Sequence, residues 1–297
     1  MDDELRSLHD ALAWQRELGG RYVARVATDG PPPALSAPET VSATPAPEPV
    51  TAALASPETA VLLASEDPSD AMATPDLFGN AADADEPASG TPYERIDALI
   101  PDDHPVKSAQ TLAELEAIVR SHVFIPLDKS RILPVFGVGD PHAGLLVIGE
   151  APGADEDRLG EPFVGRAGQL LNKILAAIGF KREEVYISNI LKSRPPNNRD
   201  PEPDEIAGHL PILLKQMVLI EPKVILCVGK TSGNGLLDRR SSLAALRDKE
   251  HSFHGIPLYV TYHPAALLRN EQWKRPTWED VKLVRTRYDA LVGNKAG

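Results

Sequence analysis

The feature that most limits the fold of this chain is a set of short apolar runs that alternate with segments of helical periodicity. The run LLVI at 145–148 precedes a Gly- and Pro-rich loop, and the helical pattern LLNKILAAIGF follows that loop. Strands of this kind, each followed by a helix, predict a parallel sheet with helices on both faces. The candidate strands are 145–149, 185–190, 223–228 and 257–262. The candidate helices are 110–120, 166–179, 203–219, 230–238 and 277–292.

The segment at 28–92 differs in composition from everything that follows it. No Lys or Arg occurs between Arg25 and Arg95, and the interval holds Pro- and Ala-rich runs without sustained apolar periodicity. Such a segment buries too little apolar surface to offset the entropy cost of ordering it. We therefore interpret 28–92 as a disordered acidic linker and expect the folded domain at 93–297.

The first 27 residues predict a short amphipathic helix. Their apolar side chains lie near helical spacing, and two glycines at 19 and 20 form the stop signal. These apolar side chains are Leu5, Leu8, Leu12 and Trp14. Two interpretations stay open, since the helix either docks on a partner protein or folds back on the core.

The net charge of −12 is concentrated in the N-terminal part of the chain. Residues 1–92 hold 16 acidic and four basic residues, whereas residues 93–297 hold 27 of each. The predicted domain is therefore electrically balanced, and a local basic surface for nucleic acid is compatible with it.

The single cysteine, Cys227, lies inside an apolar run, which predicts a small buried residue. One cysteine supports neither an internal disulfide nor a cysteine-based metal site. The acidic N-terminus lacks the apolar segment of a signal peptide, and no run of about 18 apolar residues occurs. We expect a monomeric, cytoplasmic protein.

Chemically distinctive residues lie in the loops that follow the candidate strands. The first loop, GEAPGADEDRLGEPFVG, carries several carboxylates and one aromatic residue, Phe163. This mixture suits a flat, uncharged ring better than a phosphate, which requires backbone N–H groups and Lys. The third loop, Gly229-Lys230-Thr231, resembles the end of a P-loop, but Val224 stands where the upstream glycine is required, so we reject nucleotide binding there.

Three motifs in order carry a specific resemblance. GEAPGADEDRLGEPFVGRAGQLL, YISNILKSRPPNNRDP and TYHPAALLR are similar to the corresponding segments of family 4 uracil-DNA glycosylases. The resemblance covers about residues 107–292, and it includes VFGVGDP before the first strand and PTWEDVK near the end. It implies a three-layer α/β/α domain with a central four-stranded parallel sheet. The implied activity is removal of uracil from DNA by hydrolysis of the N-glycosidic bond.

The resemblance also implies functions for individual residues. Glu150 and Ala151 would line the water and sugar side of the pocket, and Glu156 would be a second catalytic carboxylate. The remaining pocket residues would contact the base: Phe163 by stacking, Asn189 at its edge and His263 at the uracil O2.

The chemistry of these residue types agrees with those functions. An enzyme that acts on a base flips it out of the duplex and reads it by hydrogen bonds and stacking. Asn offers the donor and the acceptor that the uracil edge requires, while a carboxylate and a His donor stabilise the sugar cation and the leaving base. We predict Leu267 as the side chain that fills the gap left by the base. The predicted phosphate contacts are Lys192, Arg194, Arg199 and Arg269.

Each of these residues also has a structural explanation. Phe163 could be ordinary core, Asn189 a cap, Glu156 a solvated or capping residue, and His263 a satisfied surface histidine. Two further functions also stay open: a uracil- or DNA-binding protein without hydrolysis, and a scaffold that recruits repair partners through the acidic tether. The loop KSRPPNNRDPEP lacks the inserted histidine of superfamily members that cross-link to DNA.

The sequence departs from the family at the positions of its iron–sulfur cluster. The resemblance aligns the cysteine ligands with His122, Ile125, Ser193 and His209, none of which is cysteine. Thiolates are the usual ligands of such clusters, and Ile125 has no ligating atom. We therefore predict no cofactor and no metal, with packing and hydrogen bonds in place of the cluster; another metal bound by the two histidines and the serine is the alternative.

Overall fold

The computed structural model describes residues 89–293. The predicted N-terminal helix at 1–27, and all of the predicted linker except its last four residues, lie outside this range. The described chain contains one six-stranded sheet, with strands in the order β1-β3-β2-β4-β6-β5. The strands are β1 (Val138–Gly139), β2 (Leu145–Gly149), β3 (Tyr186–Asn189), β4 (Val224–Val228), β5 (His251–Phe253) and β6 (Ile256–Thr261).

Helices connect these strands and flank the sheet. The α-helices of the described chain are α1 (Pro92–Asp97), α2 (Leu112–Ser121), α3 (Ala154–Leu159), α4 (Arg166–Ala177), α5 (Pro203–Ile220), α6 (Lys230–Leu237), α7 (Leu243–Leu246), α8 (Pro264–Leu267) and α9 (Lys274–Val292). Short 3₁₀ turns lie at Pro105–Ser108, Pro126–Lys129, Arg182–Glu184, Pro196–Asn198 and Glu271–Trp273. Within residues 89–293, no helix combines the length and the apolar character that crossing a membrane requires.

The predicted parallel strands are all present and form the centre of the sheet. β3, β2, β4 and β6 are parallel neighbours, whereas β1 and β5 pair antiparallel at the two edges. The edge strands, of two and three residues, were not predicted. They extend the four-stranded parallel centre into a mixed sheet of six strands.

Two hydrophobic clusters cover the two faces of the sheet, which confirms the predicted arrangement in three layers. Leu146 and Ile148 belong to the cluster that contains the buried side of α5, and Leu145 and Val147 belong to the cluster that contains α4 and α9. This alternation follows from the period of two along a strand. Cys227 is fully buried, as predicted.

The topology favours a ligand site at the carboxyl ends of the central strands β2 and β3. Gly149 at the end of β2 is the register partner of Asn189 at the end of β3. The chain order reverses at β2, because β3 lies on one side of it and β4 on the other. Ligands of open α/β sheets bind outside the carboxyl ends of the strands at such a reversal.

Candidate active site

Asn189 and Phe163 converge over the backbone of Gly149. A Cβ added at Gly149 would overlap Asn189 Oδ1 and would lie 2.6 Å from Phe163 Cζ, so the two side chains pack on the bare Cα of the glycine. Both are almost completely buried, with 2% of Asn189 and 6% of Phe163 exposed. The glycine that precedes Glu150 is therefore required by close approach of two predicted pocket residues.

Asn189 carries an unsatisfied polar atom in a buried place. Its Oδ1 has no hydrogen-bond partner among residues 89–293. Buried polar atoms in folded proteins are nearly always paired, and an exception calls for an explanation. A ligand that donates a hydrogen bond at the end of β3 would supply the missing partner.

The Phe163 backbone has a left-handed conformation, with φ of 55°. This conformation is uncommon for a bulky residue, and it persists only where the surroundings enforce it. The guanidinium of Arg182 contributes by donating to the main-chain oxygen of Pro162 at 2.6 Å and to that of Phe163 at 3.4 Å. Sequence reasoning did not identify Arg182, since its contacts are to main-chain atoms about 20 residues earlier.

Glu156 fixes the other side of the same loop. Its Oε1 accepts hydrogen bonds from the N–H groups of Val164 at 3.0 Å and Gly165 at 3.1 Å, and its Oε2 accepts from that of Gly153 at 3.1 Å. The carboxylate thus closes the N-terminus of α3 and ties it to the residues after Phe163. This geometry makes Glu156 a positioning residue, as the capping interpretation of the sequence expected; a catalytic function for it stays a prediction.

His263 lies two residues after the end of β6 and faces the Phe163 ring, with ring centroids 5.5 Å apart. Its Nδ1 accepts a hydrogen bond from the Ala265 N–H at 3.2 Å, so the proton of the neutral ring is on Nε2. Exclusion of water around the ring lowers the pKa of His263 to about 4, and the charge of Arg269 acts in the same direction. At neutral pH the ring is therefore an uncharged Nε2–H donor.

An aromatic and ionic assembly supports the segment before His263. Tyr262 stacks on Trp273 with ring centroids 5.0 Å apart, and the Arg247 guanidinium lies 4.4 Å from the Tyr262 ring centroid. Asp280 accepts hydrogen bonds from Arg247 and, at 2.6 Å, from Thr261 Oγ1. These contacts hold the end of β6 from two sides, and Asp280 lies in the segment PTWEDVK that the resemblance includes.

Glu150 lies half-buried at the end of β2, and the adjacent Ala151 packs against the core. Burial raises the pKa of Glu150, while a hydrogen bond with Thr231 and the charge of Lys230 act in the opposite direction. Lys230 and Thr231 are the first residues of α6, in the segment that resembles the end of a P-loop, and nothing in the sequence indicated that they adjoin the acidic loop. The start of α6 therefore contributes to this site through its interactions with the Glu150 carboxylate.

The structure corrects the prediction for Lys192. Its side chain is fully buried, so it cannot contact a DNA phosphate. The ammonium donates to Ser188 Oγ, to the Asn189 main-chain oxygen and to Gln216 Oε1, each at 2.7 Å. Burial lowers the pKa of Lys192 well below its usual value. Lys192 supports the end of β3 from within the protein.

The prediction for Leu267 is also corrected. Leu267 is completely buried and belongs to the cluster that contains α4 and α9, whereas 42% of the next residue, Leu268, is exposed. A side chain that fills the gap in a duplex must be exposed before DNA binds. Of the two leucines, Leu268 is therefore the candidate for this function.

The three predicted arginines differ in their surroundings. Arg269 is exposed beside the His263 loop, and Arg194 is half-buried with its Nε donating to Asn198 Oδ1 at 2.8 Å. Arg199 is exposed but forms a two-point ion pair with Glu205, at 2.9 and 2.6 Å. Arg269 is consequently the best placed of the three to meet a phosphate next to a flipped nucleotide.

The residues at the cluster positions do not fit an iron–sulfur cluster. Ile125 has no donor atom, while Ser193 Oγ and His209 Nε2 donate to Asp128 and His209 Nδ1 accepts from Lys192 N–H. In the part of the chain that the structure describes, no group of three or more His, Cys, Asp or Glu side chains could hold a metal ion.

Comparison with known proteins agrees with the fold and with the family that the motifs resemble. Residues 136–282 match the model of the uracil DNA glycosylase superfamily. The chain is 40% identical to the type-4 uracil-DNA glycosylase of Archaeoglobus fulgidus over 166 residues, which are 53% of this chain and 83% of that relative. The Thermotoga maritima type-4 enzyme is 38% identical over 184 residues, 59% of this chain and 96% of the relative.

A more distant relative is the type-5 uracil-DNA glycosylase of Thermus thermophilus, 30% identical over 166 residues that are 49% of this chain and 74% of the relative. The type-4 enzymes are thus the more similar group, and the matched region covers 83% and 96% of the length of the two relatives compared above. This chain belongs to the uracil-DNA glycosylase superfamily, in the group of the type-4 enzymes, and is a member without the cysteine ligands of the cluster.

Proposed function

We propose that the protein is a DNA-repair glycosylase that flips uracil out of DNA and hydrolyses its N-glycosidic bond, leaving an abasic site. The observation that carries this proposal is the unpartnered, buried Oδ1 of Asn189 beside the Phe163 ring and the Nε2–H of His263. The family and its type-4 members support the same activity.

The base is recognised by shape and by its hydrogen-bonding edge. Uracil stacks on Phe163, its N3–H donates to Asn189 Oδ1, and its O4 accepts from the Asn189 amide. Cytosine presents an acceptor at N3 and a donor at N4. With the Asn189 amide in the same orientation, N3 would face the acceptor Oδ1 and the N4 amino group would face the amide NH2, so both contacts would be unfavourable. Asn189 thereby discriminates uracil from cytosine.

Bond cleavage is assisted on both sides of the scissile bond. Breaking the bond between C1′ and N1 leaves positive charge on the sugar and negative charge on uracil. Glu150, as a carboxylate, stabilises the sugar cation and orients the water that attacks it. His263 donates from Nε2 to O2 of the leaving base, where negative charge develops. Because the neutral ring is held by the Ala265 N–H, this donor is aimed before the reaction begins.

Product analysis on synthetic DNA tests the proposal. Duplexes with a single uracil, and matched duplexes with thymine or cytosine at that position, are incubated with the protein in EDTA. We expect free uracil and an alkali-labile abasic site from the uracil duplex alone. A protein that retains the uracil duplex in a gel-shift assay without forming an abasic site would instead be the non-hydrolytic binder.

A further inference from the structure

One buried carboxylate connects the positions at which relatives are expected to carry cluster ligands. Asp128 Oδ1 accepts hydrogen bonds from Ser193 Oγ, from His209 Nε2 at 3.0 Å and from Arg131 Nη1 at 3.0 Å. Its Oδ2 accepts from the Ile125 N–H at 3.2 Å. Three of the four aligned positions thus bond to the same carboxylate, whose side chain is 0% exposed.

Arg131 connects the fourth aligned position, His122, to this carboxylate. Its Nη2 donates to the main-chain oxygen of His122 at 3.3 Å and to that of Val119 at 2.6 Å, at the end of α2. Only 7% of the Arg131 side chain is exposed. The Asp128–Arg131 ion pair is therefore enclosed, and each charge is satisfied by several hydrogen bonds, which is what burial of an ion pair requires.

We infer that the Asp128–Arg131 ion pair replaces the iron–sulfur cluster as the cross-link between α2 with its following turn, the loop after β3, and α5, so that this chain folds without a metal. The inference concerns the construction of the domain and does not depend on the proposed reaction. The cross-link also reaches the site, because His209 Nδ1 accepts from the Lys192 N–H at 3.0 Å and the Lys192 ammonium donates to the main chain of Asn189.

A double-mutant cycle on the full-length chain tests the cross-link. Asp128→Ala and Arg131→Ala each leave a buried charge without its partner, so each should lower the melting temperature by roughly 10 °C. The double variant should lose much less than the sum of the two shifts, because neither charge is then left unpaired. Additive shifts of the two single variants would overturn the inference.

The chain offers a matched control on α2. Glu116 and Arg120 form an ion pair at 2.6 Å, but their side chains are 36% and 50% exposed. Exposed pairs contribute little, so Glu116→Ala, Arg120→Ala and their combination should each change the melting temperature by less than about 2 °C. A control cycle that couples as strongly as the Asp128 cycle would mean that the buried pair has no special function.

Two further measurements keep the inference testable if Asp128→Ala does not fold. Ser193→Ala removes one hydrogen bond to Asp128 and leaves the ion pair, so it should lower the melting temperature by about 2–4 °C. An unchanged melting temperature in Ser193→Ala would contradict the cross-link. Protein produced with added iron and purified without oxygen should contain no stoichiometric iron or sulfide; four irons per chain would overturn the inference directly.

Discussion

The ammonium nitrogen of Lys192 lies 2.7 Å from the main-chain oxygen of Asn189, the residue whose side-chain oxygen is left without a partner in the site. A buried lysine that faces neutral oxygens is costly, and its retention here fixes the end of β3. The side chain that we propose to read the base is therefore supported by a buried lysine that DNA does not touch.

We expect Lys192→Met to reduce both the rate of uracil release and the preference for uracil over cytosine. Loss of the amine removes three hydrogen bonds to buried oxygens at the end of β3, so the rate should fall about tenfold or more. In an Asn189→Ala background the same substitution should have little further effect on preference, because its effect passes through Asn189. Lys129→Met, at an exposed lysine, is the control. Equal effects of Lys192→Met in both backgrounds would mean that it acts on stability alone.

Substitutions at Leu267 and Leu268 should distinguish a packing function from contact with DNA. Leu267→Ala removes a fully buried side chain and should reduce the free energy of unfolding by about 2–5 kcal/mol. Leu268→Ala should leave stability unchanged but slow uracil release from duplex DNA more than from single strands, since only the duplex has a gap to fill. Denaturant unfolding and single-turnover rates on both substrates measure this. If Leu267→Ala instead slowed release from duplex DNA without loss of stability, and Leu268→Ala destabilised the fold, Leu267 would again be the inserted residue.

Substitutions at Glu156 distinguish positioning from catalysis. Glu156→Gln keeps the Oε1 that accepts from Val164 and Gly165, so it should retain activity within about tenfold. Glu156→Ala removes every acceptor and releases the strained Phe163 backbone, so both DNA affinity and rate should fall further. If the Gln variant is as inactive as the Ala variant, the charge itself is needed and Glu156 is catalytic, as the resemblance implied.

The pH dependence of the reaction should report Glu150. Burial raises the pKa of Glu150, so its carboxylate becomes protonated at a higher pH than an ordinary glutamate. The rate should therefore fall on the acid side, beginning above pH 4.5, while His263 stays neutral until the pH nears 4. Glu150→Gln should remove this acid limb and lower the plateau. A limb that persists unchanged in the Gln variant would assign it to another group.

Much of the fold was predictable because the central strands are apolar on both faces. Runs such as LLVI and VILCV admit few alternatives to a buried parallel strand, and their ends located the loops of the site. β1 and β5 were missed because two or three residues are too few to show a period.

The errors within the site have a common physical cause. α8 has a single turn, so no periodicity in the sequence indicates that Leu267 faces inward and Leu268 outward. The burial of Lys192 depends on Gln216, which α5 supplies from 24 positions along the chain. Local sequence identifies residue types suited to a reaction, whereas the direction of each side chain is decided by contacts that are distant in sequence.

The contact between His263 and the leaving uracil gives the most direct test of the proposed mechanism. His263 is held as an Nε2–H donor by the Ala265 N–H, and its interaction with the base strengthens only as charge develops on O2. Replacing it should therefore affect chemistry far more than DNA binding.

The most direct measurement is the single-turnover release of free uracil, with the dissociation constant on the same duplex, for the wild-type protein and for His263→Ala. We predict stoichiometric release by the wild-type protein, and a rate lower by roughly 10²–10³ for the variant with nearly unchanged affinity. A wild-type protein that binds the duplex and releases no uracil would contradict the account, as would a variant whose affinity falls as much as its rate.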